Sequence, residues 1–167
     1  MKKITSVLLL AGMLSAPAFA SDQSRPSIGI GYGLDNGGVL SLHGDFSIAN
    51  LVNNEPVRAR IGWDHYSQGF GFGANNYSWS YNVFYGGAYY DFNRALKLDS
   101  KIHPFAGLGI GFGNASCSGP WCNNVASPTV GGLYYMIGAQ YDLTPNVNAE
   151  LNINGWGGLT IGANLKF

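Results

Sequence analysis

Residues 160–167 read TIGANLKF, and the fold turns on this stretch. Ile161, Ala163, Leu165 and Phe167 fall on every second position, with Thr160, Gly162, Asn164 and Lys166 between them. A side-chain period of two is that of a strand with one apolar face. Chain ends usually fray into water. A strand that keeps its alternation up to a last aromatic is expected to need that residue held in place.

The same alternation recurs upstream. PSIGIGYGL sets Ile28, Ile30, Tyr32 and Leu34 against Gly29, Gly31 and Gly33. LSLHGDFSI sets Leu40, Leu42, Phe46 and Ile48 against Ser41, His43, Asp45 and Ser47. VRARIGWD sets Val57, Ala59, Ile61 and Trp63 against Arg58, Arg60, Gly62 and Asp64. In the aromatic-rich stretch 79–92, Ala88, Tyr90 and Phe92 are assigned outward and Asp91 inward. Ala106, Leu108, Ile110 and Phe112 face away from Gly107, Gly109 and Gly111, and the segments 132–143 and 147–153 alternate in the same way. Eight strands result. Turns are expected at 35–38, 50–56, 93–101, 144–146 and 154–157, and long loops at 67–78 and 114–128.

The other end opens MKKITSVLLLAGMLSAPAFA, with Lys2 and Lys3, a short apolar run and Ala18-Phe19-Ala20. That is the pattern of a cleaved secretory signal, and the run is too short to span a bilayer as a helix. Residues 1–20 are therefore expected to be removed, leaving 21–167 as one domain. With Lys2 and Lys3 gone, seven basic residues face nine acidic ones, so no basic stripe suggests a nucleic-acid partner. Charged residues make up 11% of the chain, well below the usual value of about 25%. An exported chain poor in charge, rich in Gly and aromatics, and without a long apolar run fits a β-barrel in lipid, where apolar residues occupy alternate positions. An open strand edge in lipid would leave unpaired backbone groups, so the last strand must pair with the first. A soluble ligand-carrying barrel would point its apolar face inward. Here the second face is Gly, Ser, Asn and isolated charges. The expected fold is all-β: an eight-stranded antiparallel up-and-down transmembrane barrel.

YGGAYYDFN (85–93), KIHPFAGLGIGFG (101–113) and TIGANLKF (160–167) resemble the small eight-stranded outer-membrane barrels of the OmpA/OmpX and opacity-protein type. Thr160, Gly162, Leu165 and Phe167 are similar to that family's assembly signal. The resemblance implies recognition by the barrel-assembly machinery, surroundings of outer-membrane lipid and lipopolysaccharide, and termini in the periplasm. It implies a Gram-negative-type envelope and a structural or surface-interaction role, with no cofactor. It says little about activity.

Asp45, Arg58, Arg60, Asp64, Glu150 and Lys166 are the charges expected inside. Pairing across the turn at 50–56 would set Asp45 roughly opposite Arg60. A lumen this narrow just holds its own side chains, so a salt-bridge network is the expected use of these charges, with a narrow pore as the alternative. The Gly faces of the first and fifth strands could leave room for water.

His65 and Ser67 share a strand face, the beginning of a base–nucleophile pair. The stretch resembles the His-x-Ser of lipid A 3-O-deacylases, which are also eight-stranded barrels. It departs from them in lying early in the chain, in having Gln68 where that family has Asn, and in lacking a matching Glu. The third group that orients the base is missing. The chain is read as a non-enzyme, with the lipid A acyl hydrolase kept as an alternative.

Cys117 and Cys122 are the only cysteines, and in an oxidising compartment they are expected to form a local disulfide. Their C-x4-C spacing is not a redox motif, and two thiols are too few for a metal. The loops are where surface function is expected, with Phe70, Phe72, Tyr77, Trp79 and Trp121 as candidate contacts. An Asn164→Asp change, on the inner face, is expected to be milder than Leu165→Asp on the lipid face.

Overall fold

The structure, a computed structural model, describes residues 25–34, 38–72, 75–98, 101–119, 122 and 129–167, without the side chains at 70–72, 75–77, 94 and 130. The signal segment 1–20 lies outside the described residues. So do Trp121 and the side chains of Phe70, Phe72 and Tyr77.

Eight strands form one closed antiparallel barrel in chain order. They are β1 (Ser27–Gly33), β2 (Val39–Ser47), β3 (Val57–Phe72), β4 (Asn75–Asp91), β5 (Ile102–Ser118), β6 (Thr129–Thr144), β7 (Val147–Asn154) and β8 (Gly158–Lys166). β1 pairs with both β2 and β8, so no spanning backbone edge is left in lipid. The apolar residues of the sequence pattern point outward: Ile30 is 55% and Leu165 48% exposed to the surroundings. Ala88, Tyr90 and Phe92 are only half-buried while Tyr89 and Asp91 are buried, which settles the facing of the aromatic-rich strand as expected.

The end carrying both termini has compact turns. Ala49–Leu51 is a single 3-10 turn, and Asn53 and Asn54 take left-handed backbone (φ 57° and 62°), which Asn tolerates better than most residues. Asn93–Leu96 forms one turn of helix, α1, where the sequence suggested only a turn.

The two long loops are shorter than expected. β3 runs on to Phe72 and β4 starts at Asn75, paired from Ser67↔Ser80 to Phe72↔Asn75. Residues 114–118 continue β5, up to Ser118 opposite Ser78. Gly and Asn content suggested loops here, but a ladder satisfies the backbone donors and acceptors that a loop would leave to water. β2 pairs with β3 only as far as Val39↔Tyr66, and β7 with β6 only as far as Met136↔Asn154. Strands β3–β6 therefore rise above the rim set by β1, β2, β7 and β8 as a four-stranded crown.

Candidate functional site

Inward positions follow from the pleat. Every second residue enters the lumen, and the register decides which of them meet. Asp45 sits directly opposite Arg60, as the turn pairing suggested. Arg60 Nε and Nη2 donate to the two Asp45 oxygens at 2.7 and 2.8 Å. The same guanidinium reaches across the barrel: Nη1 and Nη2 donate to the Glu150 oxygens, both at 2.8 Å. Two bidentate pairs on one Arg use the fork geometry that suits it to carboxylates.

Other donors complete the carboxylates. Gln140, Asn152 and Asn164 donate to Glu150 at 2.8, 2.6 and 2.9 Å. The Tyr89 hydroxyl donates to Asp45 at 3.0 Å. His43 Nε2 donates to Asn164 Oδ1 at 2.8 Å. The Tyr89 and Phe105 rings lie 5.2 and 5.5 Å from the guanidinium carbon. His43, Asp45 and Glu150 have ligand-type atoms within 4.8 Å of one another, a spacing that could suit a metal. The Arg60 guanidinium already stands where such a cation would bind.

Toward the termini lies a second polar layer. Lys166 pairs with Asp142 at 2.7 Å, and His103 lies 3.1 Å from Asp91 and 3.4 Å from Asp142. Arg58 Nη2 donates to the Arg25 carbonyl at 2.9 Å and to Ser27 Oγ at 3.3 Å. Of the six charges assigned to the interior, Asp64 stands apart, with the Ser41 hydroxyl as its side-chain neighbour. It is fully buried opposite Ser41.

Toward the crown the filling is aromatic. Tyr85 and Tyr134 stack at 4.2 Å with planes 12° apart, and Met136 is fully buried beside them. Trp156 packs on this cluster. The turn that carries it is fastened by Asn154 Oδ1, which accepts from the Trp156 and Gly157 amides at 3.1 and 2.6 Å. The inward glycines give room to these groups. A Cβ on Gly62 would lie 2.3 Å from the Tyr85 ring, and one on Gly29 would lie 1.9 Å from Asn164 Oδ1. The lumen is thus plugged by its own side chains, which disfavours the narrow pore.

His65 and Ser67 lie on the outward face near the crown. His65 Nδ1 is 2.9 Å from Asn82 Oδ1, and its ring stacks on Trp63 at 5.5 Å. Ser67 is exposed opposite Ser80. The His partner is a neutral amide, and Asp64 points into the lumen. This geometry lends no support to an acyl hydrolase. Gln68 is held by the Tyr66 hydroxyl.

Cys117 and Cys122 are joined, with Cα atoms 5.4 Å apart, tying the end of β5 to the segment beyond it. Thr160, Gly162, Leu165 and Phe167 all lie on β8 or directly after it. Thr160 points inward and Leu165 outward, and the Phe167 amide donates to the Pro26 carbonyl at 3.0 Å.

Sequence reasoning missed the Arg60–Glu150 bridge, the inward fold of Trp156 and the grip of Arg25 on the chain end. The first had a signal: both residues are inward by parity, on β3 and β7, which stand opposite each other in an eight-strand ring. The Asn-Gly-Trp-Gly turn had none that fixed the Trp direction.

A closed eight-stranded barrel with a lipid-facing apolar belt and a filled lumen defines a small outer-membrane barrel. The chain belongs to the outer membrane protein beta-barrel domain family, whose model matches residues 6–167. Among solved structures it is similar to the attachment invasion locus protein Ail of Yersinia pestis, solved with the heparin analogue sucrose octasulfate. Identity there is 17%, the TM-score is 0.55, and 86% of this chain and 97% of that one are covered. It is similar to the N-terminal barrel of Pseudomonas aeruginosa OprF, at 13% identity and TM-score 0.57, covering 87% and 98%. It is also similar to Neisserial surface protein A, at 16% identity and TM-score 0.57, covering 86% and 95%. These likenesses show the fold. No curated protein sequence matches significantly.

Proposed function

We propose that this is a non-enzymatic outer-membrane protein that works as a structural element and a surface-interaction platform, with its termini in the periplasm and its crown outside. The crown carries this reading. On the outward face, Trp63, Phe84 and Phe112 form one register row, and the next rows are His65, Asn82, Asn114 and Thr129, then Ser67, Ser80 and Ser116. The lipid-facing surface turns from apolar to polar there, with aromatics at the step as at a membrane interface. β3–β6 continue past that step as sheet.

Charge supports the orientation. After residue 24 the cations are Arg25, Arg58, Arg60, Arg94, Lys97, Lys101 and Lys166, all at or near the end with the termini. That end suits a leaflet of anionic phospholipid headgroups. Residues 61–93 and 102–165, which include the whole crown, contain no Lys or Arg. Contact with lipopolysaccharide at the crown then rests on neutral hydroxyl and amide groups. A polysulfated ligand like the one in the Ail structure would find no Lys or Arg there. During biogenesis the signal segment directs export, and the barrel-assembly machinery reads Thr160, Gly162, Leu165 and Phe167.

The test is labelling of intact cells with a membrane-impermeant thiol reagent, in a background with Cys117 and Cys122 both changed to Ser. Ser80→Cys should label on intact cells and Asn54→Cys only after lysis. The reverse pattern would overturn the orientation. Lipid A mass spectra should be identical with and without expression, and loss of an acyl chain on expression would revive the enzyme reading.

A further inference from the structure

The barrel closes where its first strand meets its last. This ladder is as short as that of β1 with β2: β1 has 7 residues, against 17 in β4 and in β5. It is also the pairing that closes the largest loop of chain, and loop-closure entropy rises with length. One side chain crosses this seam at the end with the termini. Arg25 lies just before β1. Its Nε donates to the Phe167 carbonyl at 3.0 Å, across 142 residues of sequence. Its Nη1 donates to the Pro145 carbonyl at 3.2 Å and its Nη2 to Asn146 Oδ1 at 2.9 Å. The Arg25 carbonyl is held from the other side by Arg58 of β3.

We propose that Arg25 is the latch of the barrel seam, the side chain that keeps β8 closed on β1 at the end with the termini. Its planar fork reaches the residue after β8 and the β6–β7 turn at once, three oxygen acceptors in fixed directions. A Lys ammonium, on a flexible stem, does not reproduce that fork. The same turn is pinned to β8 by the Lys166 amide, which donates to the Asn146 carbonyl at 2.8 Å. Arg25 thus holds a unit that is already joined, so one side chain restrains β6, β7 and β8 against β1. The β3–β5 ladders need no such help, being long and local in sequence. Loss of the latch frays the seam locally and leaves the rest of the sheet intact.

The test is amide hydrogen exchange of the full mature protein, refolded in detergent, as wild type, Arg25→Lys and Arg25→Gln. Arg25→Gln should raise exchange at Lys166 and Phe167 by about tenfold or more, with Gly86–Ala88 on β4 unchanged, as expected for local opening. Arg25→Lys should fall between the two. Unchanged exchange at 166–167, or an equal rise in every strand, would overturn the latch. A cross-link provides a second test that does not depend on Arg25→Gln folding well by itself. Ile30 and Ala163 face each other across the seam. Ile30→Cys with Ala163→Cys, oxidised in the background with Cys117 and Cys122 changed to Ser, should abolish the effect of Arg25→Gln on heat-induced unfolding. Persistence of the effect in the cross-linked barrel would mean Arg25 acts elsewhere.

Discussion

Arg60 and Glu150, on strands that stand opposite each other, form a bidentate pair through the barrel axis, with both contacts at 2.8 Å. Together with Asp45 this bridge ties β2, β3 and β7 through the lumen, without using a single ladder bond. A buried pair of this kind is weak evidence for net stability, but breaking it from one side leaves charges uncompensated. The bridge therefore works as a fastener and a plug.

Arg60→Met should cost about 3–5 kcal/mol, because two buried carboxylates lose their counter-charge. The triple change Arg60→Met, Asp45→Asn, Glu150→Gln should recover most of that loss. After Glu150→Gln one oxygen remains to accept from Gln140 and Asn164, while the new amide nitrogen faces the Asn152 donor, so the recovery stays short of complete. Urea unfolding of refolded protein, followed by the shift in gel mobility, measures both. A triple variant no better than the single one would show that the charges do more than offset one another.

The inner-face substitution Asn164→Asp looks mild from position alone. The structure reverses that expectation. Asn164 donates to Asn148 Oδ1 at 2.7 Å and to Glu150 Oε2 at 2.9 Å. A carboxylate there would lose both donors and face Glu150 in a buried site, a penalty of about 3 kcal/mol or more. It should destabilise at least as much as Leu165→Asp, whose cost of up to about 2–4 kcal/mol at the bilayer midplane falls toward the interface. Equilibrium unfolding of the two variants side by side decides the order.

Gly62→Ala should destabilise by about 1–3 kcal/mol through overpacking against Tyr85. Gly69, with nothing within 4 Å of a built Cβ, is the control, and Gly69→Ala should be close to neutral. Adding Tyr85→Leu to Gly62→Ala should shrink the penalty of the glycine change, because the ring it collides with is gone. Thermal melts of these variants beside wild type and Tyr85→Leu alone test the collision directly.

Deleting Phe167 separates anchoring from assembly. If the assembly machinery reads this residue, outer-membrane yield in cells should fall far more than the stability of refolded protein, which should drop by roughly 1–3 kcal/mol for one large apolar side chain. Equal, modest losses in both would make Phe167 an anchor only.

The alternation in TIGANLKF and its seven counterparts made the strands, their facing and the closure legible, because a period of two admits few other folds. Asp45 and Arg60 were legible because a short turn sets their register. Glu150 was not paired in advance: its partner is 90 residues away, and only the closed ring brings β7 opposite β3. The crown was hidden because Gly and Asn weaken strand propensity while the ladder holds regardless. The glycine faces of β1 and β5 suggested room for water, yet a Cβ on Gly29 would meet Asn164 and His43, and one on Gly111 would meet Trp156 and Val83.

Single-channel recording of the refolded wild-type barrel in planar bilayers is the most direct test of a protein that works through its surface and not its lumen. With the Arg60 bridge below and the Tyr85–Tyr134 stack above, the expected trace has no stable conductance steps. Reproducible ohmic channels in the wild type, insensitive to removal of contaminating porins, would contradict the plugged lumen and restore the pore.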